Sequence, residues 1–327
     1  MFFIIIATLH EYFPDISSNY TLIWKNSSRQ ILDSGIYHLF ECKFLNLAVS
    51  GSAQTSSGSG GAIFISSSKS LSLLIECSSF SSCFCTNHGG AIYYYNTAND
   101  RFTIGKSDAN SCYTTAGDWP GGQFFYTKVT KQLTLDQTSI SQCSPEAQST
   151  GKWYSIYQIG GNHLNQYINS SNNCLQYTSS FLTYGASSSL MMYNTYSNSI
   201  SVSYDIYFGT SCTMELSNIV NQTSSTSAVI IANYNCNSII THSIITNNRN
   251  SLVTVSSGST LTFLYTTISH STSITTNSLT IDPSCLQTSS VTPIPYNYKE
   301  YKCHPNTDMP RIAQKNFLIF LYPSLVY

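Results

Sequence analysis

The chain has 327 residues, of which only 9% are charged, against about 25% in typical domains. Lys and Arg number 14 and Asp and Glu 15, so there is no basic field to hold nucleic-acid phosphates. The 24 Tyr and 16 Phe exclude the aromatic-poor composition of a disordered chain. Ser, Thr and Asn supply 56, 34 and 26 residues, 116 of the 327. These are mediocre helix formers, whereas Thr, Tyr, Ile and Val favour strands, which argues against a helical bundle.

The chain opens on the apolar run Met1 to Ala7, which lacks the basic start of a signal peptide and is shorter than the roughly 20 residues a transmembrane helix needs. Residues 1–35 read as N-terminal cap strands. From there the sequence repeats. Gly60-Gly61-Ala62-Ile63-Phe64-Ile65 matches Gly89-Gly90-Ala91-Ile92-Tyr93-Tyr94, with weaker copies at Gly121-Gly122-Gln123-Phe124 and Gly151-Lys152-Trp153-Tyr154. The second glycines, at 61, 90, 122 and 151, are spaced 29, 32 and 29 residues apart. A second motif, Ile75 to Cys83, aligns with Ile104 to Cys112 and Leu135 to Cys143. Its cysteines, with Cys174, are spaced 29, 31 and 31. Later copies at Ser227 to Ile231 and Ser251 to Val255 have lost the glycines.

Each period of about 30 residues holds two or three short strand-like runs and cannot bury a core alone, so neighbouring units must stack. The reading is all-β: a solenoid of seven to eight stacked β coils over residues 36–285, followed by a C-terminal extension over 286–327. Equivalent residues should lie about 4.8 Å apart. In the glycine motif Ile63, Ile92, Phe124 and Trp153 should face inward, and Ala62, Ala91, Gln123 and Lys152 outward. Cys83, Cys112, Cys143 and Cys174 should form a buried, unbridged ladder, because stacked thiols have parallel Cβ vectors that suit a disulfide poorly.

The Gly-Gly-Ala-Ile strands alternating with the Cys-x-x-Phe-x-x-Cys type strand resemble the repeats of the polymorphic outer-membrane proteins, described in chlamydial adhesins and expanded among protist parasite surface proteins. The resemblance covers roughly residues 40 to 175. The family's Phe-x-x-Asn companion is mostly Phe/Ile-x-x-Cys here, as at Phe80 to Cys83, and Ile244 to Asn247 comes closest to it. The resemblance implies that the solenoid is a right-handed parallel β-helix, and that the protein is adhesin-like, at the cell surface or secreted, non-enzymatic, binding a host or glycan ligand.

The residues offer few catalytic signals, and no catalytic residue, cofactor or metal ligand is assigned. Cys77, Cys83, Cys85 and His88 provide four zinc-type ligands in twelve residues, but without the usual pair spacing. Glu41, Glu76 and Asp136 follow the apolar residue of the repeat and should line one solvated outer face. A carbohydrate-active lyase or hydrolase is the alternative, and it would need two such acids at a set separation. The run Tyr93-Tyr94-Tyr95 should alternate between core and solvent, with an outer ring able to stack on sugar. Sequons stand at Asn19, Asn26, Asn169 and Asn221. The apolar stretch Asn316 to Tyr322 would allow association with a membrane. A monomer with no nucleic-acid partner is expected.

Overall fold

In the computed structural model, residues 12–13, 20–52, 55–115, 121–143, 154–269 and 278–287 are described. They contain 35 strands, and every pairing between strands is parallel. Three sheets run the length of a β-helix. Sheet A has 11 strands, from Thr21–Trp24 to Leu279–Ile281. Sheet C has 10, from Lys43–Leu45 to Leu286–Gln287. Sheet B stacks Gln30–Leu32, Ile63–Ser67, Ile92–Asn96, Gly122–Lys128 and their successors up to Arg249–Val255. The strands Thr21–Trp24 and Gln30–Leu32 pair with Gly35–Phe40 and Ile63–Ser67, so they open the same sheets.

One column of sheet A fixes the rung count. Leu39, Ile75, Ile104, Leu135, Asn165, Met191, Met214, Ile240, Phe263 and Ile281 pair in sequence. Steps are 29 to 36 residues up to Asn165 and 18 to 26 beyond. The later coils are therefore shorter than the 30-residue period, and more rungs fit than the seven or eight it implies. The early coils carry a small extra sheet, Ala48–Val49, Phe84–Cys85 and Tyr113–Thr114, followed by a connection into the glycine motif. In the later coils that connection shortens to two residues after Cys174–Leu175 and Ile200–Ser201, and Thr223–Ala232 turns the corner as a single strand.

Two corners are held by residues in left-handed conformation, one per coil. The corner from sheet A to sheet C uses Glu41, Cys77, Lys106, Gln137, Tyr167, Tyr193, Leu216, His242 and Tyr265. The corner after sheet C uses Asn46, Ser82, Ser111, Gln142, Asn172, Asn198, Asn221 and Asn247. Asn tolerates this region best, so the second corner follows local preference and the first does not. Stacking compensates: corner N–H groups donate to the next coil, as Tyr167 N to Met192 O at 3.0 Å and Tyr265 N to Ser284 Oγ at 3.1 Å. Just past the first corner an inward polar ladder meets backbone donors that would otherwise be orphaned. Ser78 N donates to Ser107 Oγ, Asn194 N to Ser217 Oγ and Ser217 N to Ser243 Oγ, at 3.1 to 3.2 Å.

The expected glycine and cysteine columns exist, with corrections. Gly61 N donates to Gly90 O and Gly90 N to Gly122 O, each at 3.0 Å, so these three stack. Gly151, Lys152 and Trp153 lie outside the described residues. Ile92 pairs with Ile63 but with Phe125 rather than Phe124, because Gln123 and Phe124 together occupy a bulge where the register shifts. Phe124 nevertheless lies in the core, packed on Phe80.

Ala62, Ala91 and Gln123 are not outward: all three are fully buried. The chain bends at this corner, so Ala62 and Ile63 both enter the core. Gln123 caps Thr114 N at 3.0 Å through its Oε1. Cys83, Cys112 and Cys143 are free and buried. The fourth rung is Asn173, whose Oδ1 accepts from Cys143 N at 2.9 Å. Cys174 sits one residue further on, half-buried, because the left-handed corner residue of that coil is Asn172.

Candidate functional site

The outer face of sheet B carries aromatic rings where a solvated face would be polar. Phe64, Tyr93, Tyr126, Tyr157, Leu182, Tyr207 and Ile231 are successive rungs of one outward column. They form an apolar cluster separate from the core. Strand alternation produces it: inward Ile63, Ile92, Phe125 and Ile156 are each followed by an outward ring. In the early coils the rings stack face to face, Phe64 on Tyr93 at 5.3 Å and Tyr93 on Tyr126 at 5.2 Å. His88 stacks alongside at 5.6 Å from Tyr126. Rings so covered have no face left for a ligand, and Tyr93 is only 2% exposed.

In the later coils the face opens. Tyr184 is 39% and Tyr234 55% exposed. Their rings meet edge to face at 5.2 Å, and Tyr234 lies 6.4 Å from Tyr207. Tyr177 and Tyr204, both half-buried, adjoin Tyr207 at 6.3 and 6.0 Å. Asn233 Nδ2 donates to the Tyr207 hydroxyl at 3.0 Å. Tyr234 and Asn235 are consecutive residues with φ of 61° and 57°. Burial, reinforced by neighbouring tyrosines, pushes the Tyr126 hydroxyl up to about 12 and raises Tyr93, Tyr154, Tyr157 and Tyr177 as well. Those phenols stay neutral, able both to donate and to accept hydrogen bonds.

The acids stand elsewhere. Glu76 and Asp136 share an outward column of sheet A with Phe40 and Gly105. Glu41 does not: it is the left-handed corner residue one position later, 3.6 Å from Lys25. The expected solvated face is also corrected, because Glu76 is 1% and Asp136 5% exposed. Glu76 lies 3.3 Å from His38 Nε2 and accepts from Lys106 Nζ at 2.9 Å. Burial alone would raise its carboxyl, but His38 and Lys106 outweigh it and hold the group below its ordinary range. Tyr12 donates to Asp136 at 2.7 Å, and Phe13 packs on Leu74. Two rungs put these carboxylates roughly 10 Å apart, yet each is closed over by its partners.

The four zinc-type residues are not gathered. Cys77 is an outer corner residue and disulfide-bonded. Cys83 is in the core and its Sγ donates to Phe44 O, while Cys85 Sγ donates to His88 O, each at 3.3 Å. Among the described residues no three His, Cys, Asp or Glu side chains group as metal ligands. Of the sequons, Asn221 is exposed at a corner and Asn169 half-buried on a strand. Asn26 caps Ser28 N, and Asn19 lies outside the described residues. The apolar stretches Met1 to Ala7 and Asn316 to Tyr322 also lie outside them.

Tyr94 points inward and stacks on Phe102 at 4.6 Å, with Tyr93 and Tyr95 outward, as the alternation requires. Sequence reasoning missed the later ring cluster. Its signal was the outward position following each inward aliphatic residue, which continues at Tyr157 and Tyr207 after the glycines stop. Comparison with family models, with curated proteins and with solved structures gives no match.

Proposed function

We propose that this β-helix is a non-enzymatic, adhesin-like binding protein whose ligand is a glycan gripped by the tyrosines of sheet B, and that it acts at a cell surface or after secretion. The observation that carries the reading is the exposed notch of Tyr184 and Tyr234 beside Tyr207. Two rings at right angles offer one apolar wall and one edge, suited to the C–H face of a sugar. The neighbouring Tyr and Asn side chains supply hydrogen bonds at its rim. The repeats' resemblance to the polymorphic outer-membrane proteins agrees with the surface location. The acids give no comparable support for cleavage, because both are engaged and buried.

The test is a glycan array followed by calorimetric titration of any hit against wild type and the double variant Tyr184→Ala, Tyr234→Ala. Loss of at least tenfold in affinity, with folding intact, is expected. Unchanged binding by the double variant would overturn the site. Polysaccharide cleavage by the wild type that disappears in Glu76→Gln would overturn the non-enzymatic reading.

A further inference from the structure

The column inward of the tyrosine face is apolar at both ends and polar in its middle. Ala62, Ala91, Phe124, Ser155, Ser180, Asp205, Val229 and Leu252 occupy successive rungs and are all fully buried. Asp205 is a complete anomaly there. The strands packed on it, Thr178–Tyr184, Ile200–Ser201 and Thr223–Ala232, contain no Lys, Arg, His, Asp or Glu. Their one titratable side chain is Tyr184, at the far end, and on its own strand Tyr204 and Tyr207 belong to the outer face. Its Oδ1 accepts from Ser179 Oγ. Ser201 lies beside the carboxyl, yet Ser201 Oγ and Asp205 Oδ2 are both buried without a hydrogen bond of full geometry.

One coil earlier, His163 is buried at 2% exposure. Its Nδ1 lies 2.8 Å from Thr183 Oγ1. The strands paired with its own contribute Asp136, three residues along and bound to Tyr12, and no charged residue from Ser188–Met192. Tyr154 and Tyr157 on the neighbouring sheet B strand turn outward. Both anomalies are thus anchored on the same strand, Asp205 through Ser179 and His163 through Thr183.

We propose that Asp205 and His163 form a compensating pair, both held uncharged in the native interior, whose opposite pH dependences offset each other in acid. An unpaired buried ion would be prohibitive, and a proton on Asp205 Oδ2 would complete the missing bond to Ser201. Burial raises the Asp205 carboxyl to about 7 and lowers His163 to about 4. Asp205 then contributes stability that is complete below its unfolded value near 4 and lost as pH rises to about 7. His163 contributes in the other sense: stability complete above about 6.5 is lost as pH falls to about 4. Between those limits the two slopes oppose.

The test is denaturant unfolding of wild type, Asp205→Asn and His163→Gln at pH 4 to 8. Relative to wild type, the folding equilibrium constant of Asp205→Asn should rise on the order of a hundred- to a thousandfold from pH 4 to 8. That of His163→Gln should rise on the order of a hundredfold from pH 7 to 4. Differences independent of pH, or of the same sign, would overturn the pairing. So would stabilisation of wild type by added sodium or calcium that is lost in Asp205→Asn, since a cation would then replace the proton. Should either variant fail to fold, carboxyl and imidazole titration of wild type by NMR decides directly. An Asp205 carboxyl ionised at pH 5, or a protonated His163 there, refutes the proposal.

Discussion

The coils before Cys143 and those after Asn162 solve the same stacking problem differently. The early coils follow their short corner strand with a longer connection and re-enter sheet B through glycine, whereas the later coils keep that strand, as Cys174–Leu175 and Ile200–Ser201, without the glycine entry. A Cβ on Gly61 would stand 2.5 Å from Gly90 O, and one on Gly90 would strike the backbone oxygens of Gln123 and Tyr113. Coil lies against coil there, so the glycines are steric necessities. The later coils drop the detour and with it the glycines: Ala228 and Ser251 pair where the tight corner used to be. The early outer rings are stacked shut, while the later ones open into a notch. A repeat can thus lose its signature motif and keep its fold, because backbone pairing and inward packing carry the architecture. The part released from the motif is where surface chemistry can vary.

The largest effect should come from breaking the shared element, the inward column. Ile92→Asp puts an unpaired charge at a fully buried rung and should cost on the order of 5 kcal/mol, abolishing the cooperative unfolding transition seen by circular dichroism. Next comes the contrast between glycines. Gly90→Ala meets backbone on both sides and should lower stability by about 3 kcal/mol or more. Gly185→Ala, with φ of +60° and nothing within 4 Å of its Cβ, should cost only the left-handed penalty of about 1–2 kcal/mol. Gly185 follows a sheet B strand rather than entering one, so equal costs at the two sites would show that the backbone contacts around Gly90 are not a steric necessity.

Period and strand alternation were legible because Gly61, Gly90, Cys83, Cys112 and Cys143 mark them in the residues themselves. What was not legible depends on single-residue slips. The bulge at Gln123–Phe124 displaces Phe125 into register with Ile92, and the shift at Asn172 puts Asn173 where Cys174 was expected. Neither alters composition or spacing by more than one residue. The left-handed corners were also hidden, since Tyr167, Tyr193 and Leu216 are not residues that local preference would place there. Glu76 and Glu41 look alike in sequence, but one residue of offset buries the first and leaves the second at an outer corner.

That offset yields an intermediate prediction. Glu76→Gln leaves Lys106 and His38 without their carboxylate and should destabilise the early half by about 1–3 kcal/mol at pH 7. The Glu76 carboxyl is depressed in the fold. Its contribution is therefore present above the unfolded value near 4.3 and is lost as pH falls through the lower folded one. Wild type and variant should converge in denaturant melts only as pH falls past the unfolded value and through the lower folded one. A gap that persists in acid would assign the loss to packing instead.

The smallest effect on stability, and the sharpest use of the comparison, lies in the tyrosines. Tyr93 and Tyr184 both face outward from sheet B, but Tyr93 is sandwiched between Phe64 and Tyr126, whereas Tyr184 touches Tyr234 edge on and is 39% exposed. Tyr93→Ala removes its stacking on Phe64, His88, Tyr95 and Tyr126 and opens a void, which should cost about 3 kcal/mol. Tyr184→Ala gives up one edge contact and a partly solvated ring, so its stability should stay within about 0.5 kcal/mol of wild type. Only the second substitution should weaken ligand binding in a protein that still melts normally, by roughly 0.5–1.5 kcal/mol for one ring. Thermal melts and titrations on the same two variants separate the roles. If Tyr184→Ala melts as early as Tyr93→Ala, the later rings are structural like the early ones, and the notch has no reason to be exposed.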